Sequence, residues 1–347
     1  MVSTLTDEKR MAIAVRLADI KALQNLVIDT EEKLMTSIED AEIRRWLSEM
    51  LNDDRKNMSI LENVIINYGT KAEPKPQVQE MIDKTRQLME GSKLTPYEKI
   101  SQHELLKHQL AMAGIEVHKA AQVVGADIDA AIAPLNTVNF ENRAHQERLK
   151  GVREILSTRE LTGKDPDQSI FARIQDTIAA ATGVIGSVMS RGDHGPDMKV
   201  TDYVRMDHNK VNMLFTQIMG TDEPGKITEY FGQLYKDLTV HAEAEEQTWY
   251  PALRQFGDAQ MNVEEAWRDQ DQFQGLLEDI KRTGVTAPEF KSKIQTLMQE
   301  VQAHVSYEEN QLFARLREHY NDDQLVELGR QFQSAKSRIQ DTLLQNK

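Results

Sequence analysis

The sequence predicts an all-α protein made of two helical bundles in tandem, joined by a connector helix. Three observations carry this. Only 17 Gly and 9 Pro interrupt 347 residues, and the long segments between them are rich in Ala, Leu, Glu, Gln, Lys and Arg, which favour helix. Apolar residues recur at helical spacing along most of the chain. A polar stretch with Gly and Pro, STRELTGKDPDQ from Ser157, divides the chain near residue 160, and the length exceeds what one ordinary bundle needs.

The elements follow in order. Ile13, Leu17, Ile20, Leu23, Leu26, Val27, Leu34 and Ile38 predict a first helix over residues 7–39, and Ala41 to Tyr68 forms a second, closed by GTKAEPKPQ. A shorter helix, Gln77 to Glu90, ends at Gly91. Thr95-Pro96 opens a long helix through Val124, Asp127 to Val138 is a turn or short helix, and Phe140 to Ser157 completes a four-helix bundle over residues 1–160. Residues 161–197 are linker and connector helix. The apolar run Ile178 to Met189 is too short for the ~20 residues that cross a bilayer. Gly183 and Gly186 allow close helix packing, so this segment is expected to be a packed connector, with a homodimer contact as the alternative. RGDHGPD, with a solvent-exposed His194, is a loop. The second bundle spans residues 198–320 with helices at Thr201 to Met219, Ile227 to Phe256 (bent at Pro251), Val263 to Arg282 and Pro288 to Tyr320. An amphipathic helix from Asp323 to Leu344, in residues 321–347, packs across that bundle or against the first.

Composition narrows the function. Lys and Arg number 42 against 56 Asp and Glu, a net charge of −14, which argues against a nucleic-acid partner. There is no cysteine, so disulfides, thiolate metal sites and cysteine nucleophiles are excluded. The N-terminus lacks the apolar core of a signal peptide, and the expectation is a cytoplasmic protein without a membrane partner.

An internal duplication locates the chemistry. HAEAEEQTWYPALR from His241 repeats as HVSYEENQLFARLR from His304, so that His241 overlays His304, Glu245 overlays Glu308, and Tyr250 overlays Phe313. His and Glu four apart share one helix face, and imidazole with carboxylate suits a first-row metal such as Fe, Mn or Zn. Upstream, DHNKVNMLF from Asp207 overlays DQDQFQGLL from Asp269, which puts His208 over Gln270. The interval from residue 208 to His241 matches that from 270 to His304 to within one residue. Two helix pairs with inward ligands form a bundle with a metal site in its core.

Over residues 198 to 320 these motifs resemble the hemerythrin-like HHE cation-binding domains. The resemblance implies a di-iron centre held by His208, His241, Glu245, His304 and Glu308, with Gln270 in the slot of the third-helix His. Glu245 and Glu308 fit the bridging role, the imidazoles cap the ions, and the Gln270 amide leaves one metal position weak or open. Glu246 and Glu309 fall on an adjoining face, behind the ligands or at the surface, and Tyr203, Trp249, Tyr250, Phe273 and Phe313 could shield the centre. In the first bundle, DRKN from Asp54 over NRAH from Asn142 is similar to the Glu-x-x-His pattern of ferritin-like di-iron bundles. Glu32, Asp54, Glu104 and His145 are the metal candidates there, against a bundle that has lost its metal.

The functional expectation is a non-haem iron protein that binds or senses dioxygen, nitric oxide, peroxide or iron. A di-iron oxidase, peroxidase or ferroxidase is the second reading, and a metal-free interaction protein the third. No catalytic proton donor or substrate pocket is identifiable from sequence.

Overall fold

The computed structural model describes residues 8–166 and 198–345. The expected connector helix, with Gly183, Gly186, His194 and the dimer contact assigned to it, lies outside the described residues. Among those residues the chain is all-α and has no strand. No described helix is long and apolar enough to cross a membrane.

The first half contains α1 (Glu8–Ser37), α2 (Ala41–Tyr68), α3 (Pro76–Glu90), α4 (Pro96–Val124), α5 (Ala126–Ile132) and α6 (Leu135–Thr162). Helices α1, α2, α6 and α4 close a ring of contacts, with α3 against α1 and α5 against α2 and α4. Local signals set the boundaries. Asp40 accepts from the backbone N–H groups of Glu42 and Ile43 at 2.9 and 3.1 Å and starts α2. Thr95 and Glu98 form a reciprocal capping box beside Pro96 at the start of α4. Helix α6 begins at Leu135, earlier than Phe140, because Leu135 and Val138 are buried in the core shared with α4 and α5.

The second half contains α7 (Val200–Met219), α8 (Pro224–Gln247), α9 (Trp249–Arg254), α10 (Gln260–Thr283), α11 (Phe290–Tyr307), a π-helical turn (Glu308–Leu312), α12 (Phe313–His319) and α13 (Asp322–Gln345). Helices α7, α8, α10 and α11 close a second ring. The expected bend at Pro251 falls earlier, at Thr248, whose φ −129° and ψ −91° leave the helix. Pro251 has no N–H to return to the carbonyl of residue 247, so the break precedes it by one turn. The fourth long helix is also interrupted, by the π turn that starts at Glu308, and such turns gather at functional sites.

Each bundle has an apolar core in two parts with a buried polar layer between them. In the first, one part centres on Leu17, Leu61 and Leu110 and the other on Trp46, Ile100 and Leu149. In the second, Phe215, Phe273 and Phe290 fill one end and Trp249, Phe313 and Phe332 the other.

The two halves meet at the C-terminal end of α2. Of its last carbonyls, that of Ile66 accepts from the capping Gly69 N–H at 3.1 Å, and the second half supplies further donors. Lys210 donates to the carbonyls of Asn67 (2.6 Å) and Tyr68 (3.0 Å), and Gln340 on α13 donates to that of Ile66 at 2.9 Å. Arg10 on α1 pairs with Asp127 on α5 and Glu229 on α8. Gly69 ends α2 at φ +77°, where a Cβ would come within 2.3 Å of Asp237 Oδ1 and 3.0 Å of Lys210 Nζ. Gly163 has φ +66° with nothing within 4 Å. Gly163→Ala is therefore expected to cost about 1 kcal/mol of unfolding free energy from backbone strain alone. Gly69→Ala is expected to cost about 1–2 kcal/mol more, because it also displaces the Asp237–Lys210 pair. Equal losses in denaturant unfolding would mean that the junction does not depend on this close approach.

Candidate metal centre

The polar layer of the second bundle draws its groups from several helices. His208 comes from α7, His241 and Glu245 from α8, Gln270 from α10, His304 from α11 and Glu308 from the π turn. All six are buried, none more than 4% exposed. One ligand atom from each of His208, His241, Glu245 and Glu308 lies within 4.8 Å of the others. Glu308 is the hub. Its Oε2 is 3.1 Å from His208 Nε2, and its Oε1 accepts from the Tyr250 hydroxyl at 2.5 Å and stands 3.6 Å from His304 Nε2. Glu245 Oε1 is 3.3 Å from His241 Nε2, and its Oε2 accepts from the Gln270 amide at 2.6 Å.

Two of the three imidazoles are held from behind by hydrogen bonds. His208 Nδ1 meets Glu309 at 2.8 Å and His241 Nδ1 meets Asp207 at 3.1 Å, and Asp207 is held by Lys336 of α13 at 2.5 and 2.7 Å. His304 Nδ1 faces Asp269 at 3.9 Å. A carboxylate behind Nδ1 fixes the ring and leaves Nε2 as the donor atom, the usual support of a metal-bound histidine. Asp207 and Asp269 are equivalent in the duplication, each one residue before a ligand slot. The repeat therefore carried this signal, although only the ligands themselves stand out by residue type. The Tyr250 hydroxyl, which bonds Glu308 and receives the Gln270 amide at 3.1 Å, has no counterpart at Phe313.

The groups of this layer shift one another's proton affinity. Burial pulls the His208 imidazole down, but hydrogen bonds to Glu308 and Glu309 outweigh it and hold the group at about 9. Burial pushes Glu308 up, and the surrounding histidines, His304 foremost, bring it down to about 2. Glu245 goes the other way: burial and repulsion from Glu308 raise it well above the usual carboxylate range. Tyr250 is likewise raised by burial and by Glu308.

The donors fit a metal ion. Among the described residues, Glu245 Oε1, Gln270 Oε1 and both ring nitrogens of His304 are buried without a hydrogen-bond partner, an arrangement that costs free energy unless something satisfies them. A divalent cation accepting these lone pairs would replace the protons on His208 and Glu245. His208, His241, Glu245 and Glu308 could hold one ion; a second ion against His304, Gln270 and Glu308 would meet fewer strong donors.

A family model, the hemerythrin HHE cation binding domain, matches residues 199–316. A protein of Nostoc sp. (strain PCC 7120), named DNA nickase, is 52% identical over 346 residues, 99% of this chain and 97% of that protein. Residues 199–316 are a hemerythrin HHE cation-binding domain, and over its whole length the chain belongs to the family of the Nostoc protein. No solved structure matches it. The HHE match covers every group of the polar layer described above except Lys336, which reaches in from α13.

The first bundle resolves its polar layer differently. Asp54 and Asn57 of α2 and Asn142 and His145 of α6 are buried together. The acid from α1 is Glu31, not Glu32, which is exposed and paired with Arg55 at 2.7 Å. Glu104 is committed to Gln146 and Arg153, at 2.9 and 2.7 Å. The group from α4 at the centre is Lys107, fully buried, with its ammonium bonded to Asp54 and 3.1 Å from His145 Nδ1, 3.3 Å from Asn142 Oδ1 and 3.5 Å from Glu31 Oε1. His103 bonds Thr30 at 2.9 Å and Glu31 at 3.0 Å, and burial with the nearby Lys107 brings it down to about 3. Of the four residues expected from sequence, Asp54 and His145 lie in this layer and Glu32 and Glu104 do not. A side-chain cation sits at its centre. Glu31 lies four residues after Val27 and three before Leu34, on the apolar face of α1, and Glu32 lies ~100° further round, so the periodicity of the helix already favoured Glu31.

Two expectations follow. Metal measured per chain should fall to background in Glu245→Gln or Glu308→Gln and stay at the wild-type level in Glu246→Gln, since Glu246 is half-buried beside Asp271 and Glu243. Equal metal content in all three would disprove the ligand assignment. Lys107→Met should cost about 3–5 kcal/mol of unfolding free energy by leaving Asp54 buried without a cation, and Asp54→Asn added to it should recover most of that loss. A neutral Lys107→Met would show that the ammonium is not the counter-charge.

Proposed function

We propose that this chain is a DNA-nicking protein whose HHE bundle holds iron and reads a small ligand such as dioxygen, nitric oxide or peroxide. The likeness to the Nostoc protein named DNA nickase carries the first half, because it extends over both bundles and their junction and is not confined to the HHE segment. The donor set supports the second half. Mixed imidazole and carboxylate ligands suit iron, with manganese and zinc close behind, and the weak Gln270 position leaves room for a small ligand. When bound, the metal supplies an open coordination position there.

Burial separates the two roles. The HHE ligands are at most 4% exposed, so a diatomic molecule can reach them and a DNA strand cannot. Phosphodiester contact therefore falls on the surface, and the HHE centre acts on it through the fold. This reading departs from the expectation drawn from the net charge of −14. A total charge governs long-range attraction and leaves room for a local cationic surface.

Incubated with supercoiled plasmid across a panel of divalent metals, the full chain is expected to yield open circles without linear product. Glu245→Gln is expected to nick, with a rate that no longer responds to peroxide or nitric oxide. Absence of open circles under every metal would contradict the nicking half. A variant rate that still follows the small ligand would contradict the sensing half.

A further inference from the structure

A groove of about 620 Å³ runs between the two halves, walled by α1 and α2 on one side and α7 and α13 on the other. Four cations line it, Lys21, Lys71, Arg330 and Arg338, in a chain whose overall charge is strongly negative. A neighbouring space of about 430 Å³ shares Arg330, Ser334 and Arg338 with it and extends to Thr248, where α8 breaks. Three of the cations have carboxylates nearby: Lys21 meets Glu62 at 2.9 Å, Lys71 meets Asp341 at 2.7 Å and Arg330 meets Glu327 at 3.3 Å. Arg338 donates to the Ser334 hydroxyl at 2.9 Å.

A second, independent feature points to a ligand. Gln333 lines the groove and is only 5% exposed, yet among the described residues neither its amide nitrogen nor its oxygen has a hydrogen-bond partner. Burying an amide in this state is unfavourable, and an occupant with both donors and acceptors satisfies it.

We propose that this groove binds a phosphate-bearing ligand. Two exposed guanidinium groups offer planar forks that match the oxygens of a phosphate. Ser334 and Ser337 add hydroxyl donors, and Gln333 reads a neutral polar group beside the charge. The volume falls within the range of small-molecule sites. Free nucleotides and single-stranded nucleic acid both present this chemistry. The site stands on the groove itself and does not depend on the nicking reading, since binding is measured without cleavage.

The test titrates the full chain with deoxyadenosine monophosphate by calorimetry and with a fluorescein-labelled single-stranded 12-mer by anisotropy, at low salt with no divalent metal added. Binding of the mononucleotide identifies a small-molecule site, and binding of the 12-mer alone identifies a strand-binding groove; either supports the proposal. The Arg330→Glu/Arg338→Glu double variant is expected to bind at least ~10-fold more weakly, with unchanged thermal unfolding and metal content. Gln333→Leu is expected to weaken binding while leaving the unfolding temperature equal or higher, which a purely structural glutamine would not do. Failure of both probes to bind wild type, or unchanged affinity in the double variant, overturns the proposal.

Discussion

Acidic side chains buried in the middle of a helical bundle must be neutralised where they lie, because removing an ion from water costs several kcal/mol that only a close partner returns. Both halves of this chain face that constraint and meet it by different means. In the first, the partner is an ammonium tethered to the chain: that of Lys107 stands among Asp54, Glu31, Asn142 and His145. In the second, histidines surround the carboxylates: burial pulls His208 down, hydrogen bonds to Glu308 and Glu309 raise it overall, and burial with repulsion from Glu308 raises Glu245. A layer balanced by protons can exchange them for a metal ion. A layer balanced by a tethered ammonium has to expel it first. The same architecture therefore centres one polar layer on a tethered ammonium and gathers candidate metal ligands in the other.

Helix α13 ties these parts together. One face places Lys336 on Asp207, which orients His241, and Phe332 packs 6.1 Å from the same imidazole. The other face presents Arg330, Ser334 and Arg338 to the groove between the halves. Gln340 on the same helix completes the carbonyl end of α2. A rigid element that touches the metal layer, the groove and the junction is a physical route by which occupancy of one is felt at another, provided the helix has two arrangements that both sites bias.

Much of this was legible in the sequence, for identifiable reasons. Long runs of helix-forming residues with strong punctuation placed α2 at Ala41–Tyr68, because Asp40 and Gly69 mark its ends chemically. The duplicated His-x-x-x-Glu motifs marked His241, Glu245 and Glu308, whose ligand atoms the fold brings with that of His208 to within 4.8 Å of one another, while the fourth motif residue, His304, lies outside that group; residues four apart must share a helix face. Less legible were features that depend on what arrives from elsewhere in the chain. Lys107 looks like an ordinary surface lysine on a helix, and only the packing of α4 against α1, α2 and α6 turns it inward. Tyr250 looks like a core aromatic until Glu308 and Gln270 meet its hydroxyl. The π turn at Glu308 has no sequence signature of its own, and nothing in the residues of α13 announces that Lys336 supports a ligand 95 positions earlier by way of Asp207.

The contrast between the two layers is the central claim, and anomalous diffraction from crystals of the full chain, grown without added chelator, tests it most directly. Peaks at the absorption edge of the bound metal are expected only among His208, His241, Glu245, His304 and Glu308, with the Lys107 side chain in density at the centre of the first bundle. A metal peak between Asp54 and His145, or none in the HHE bundle of metal-replete protein, would contradict it.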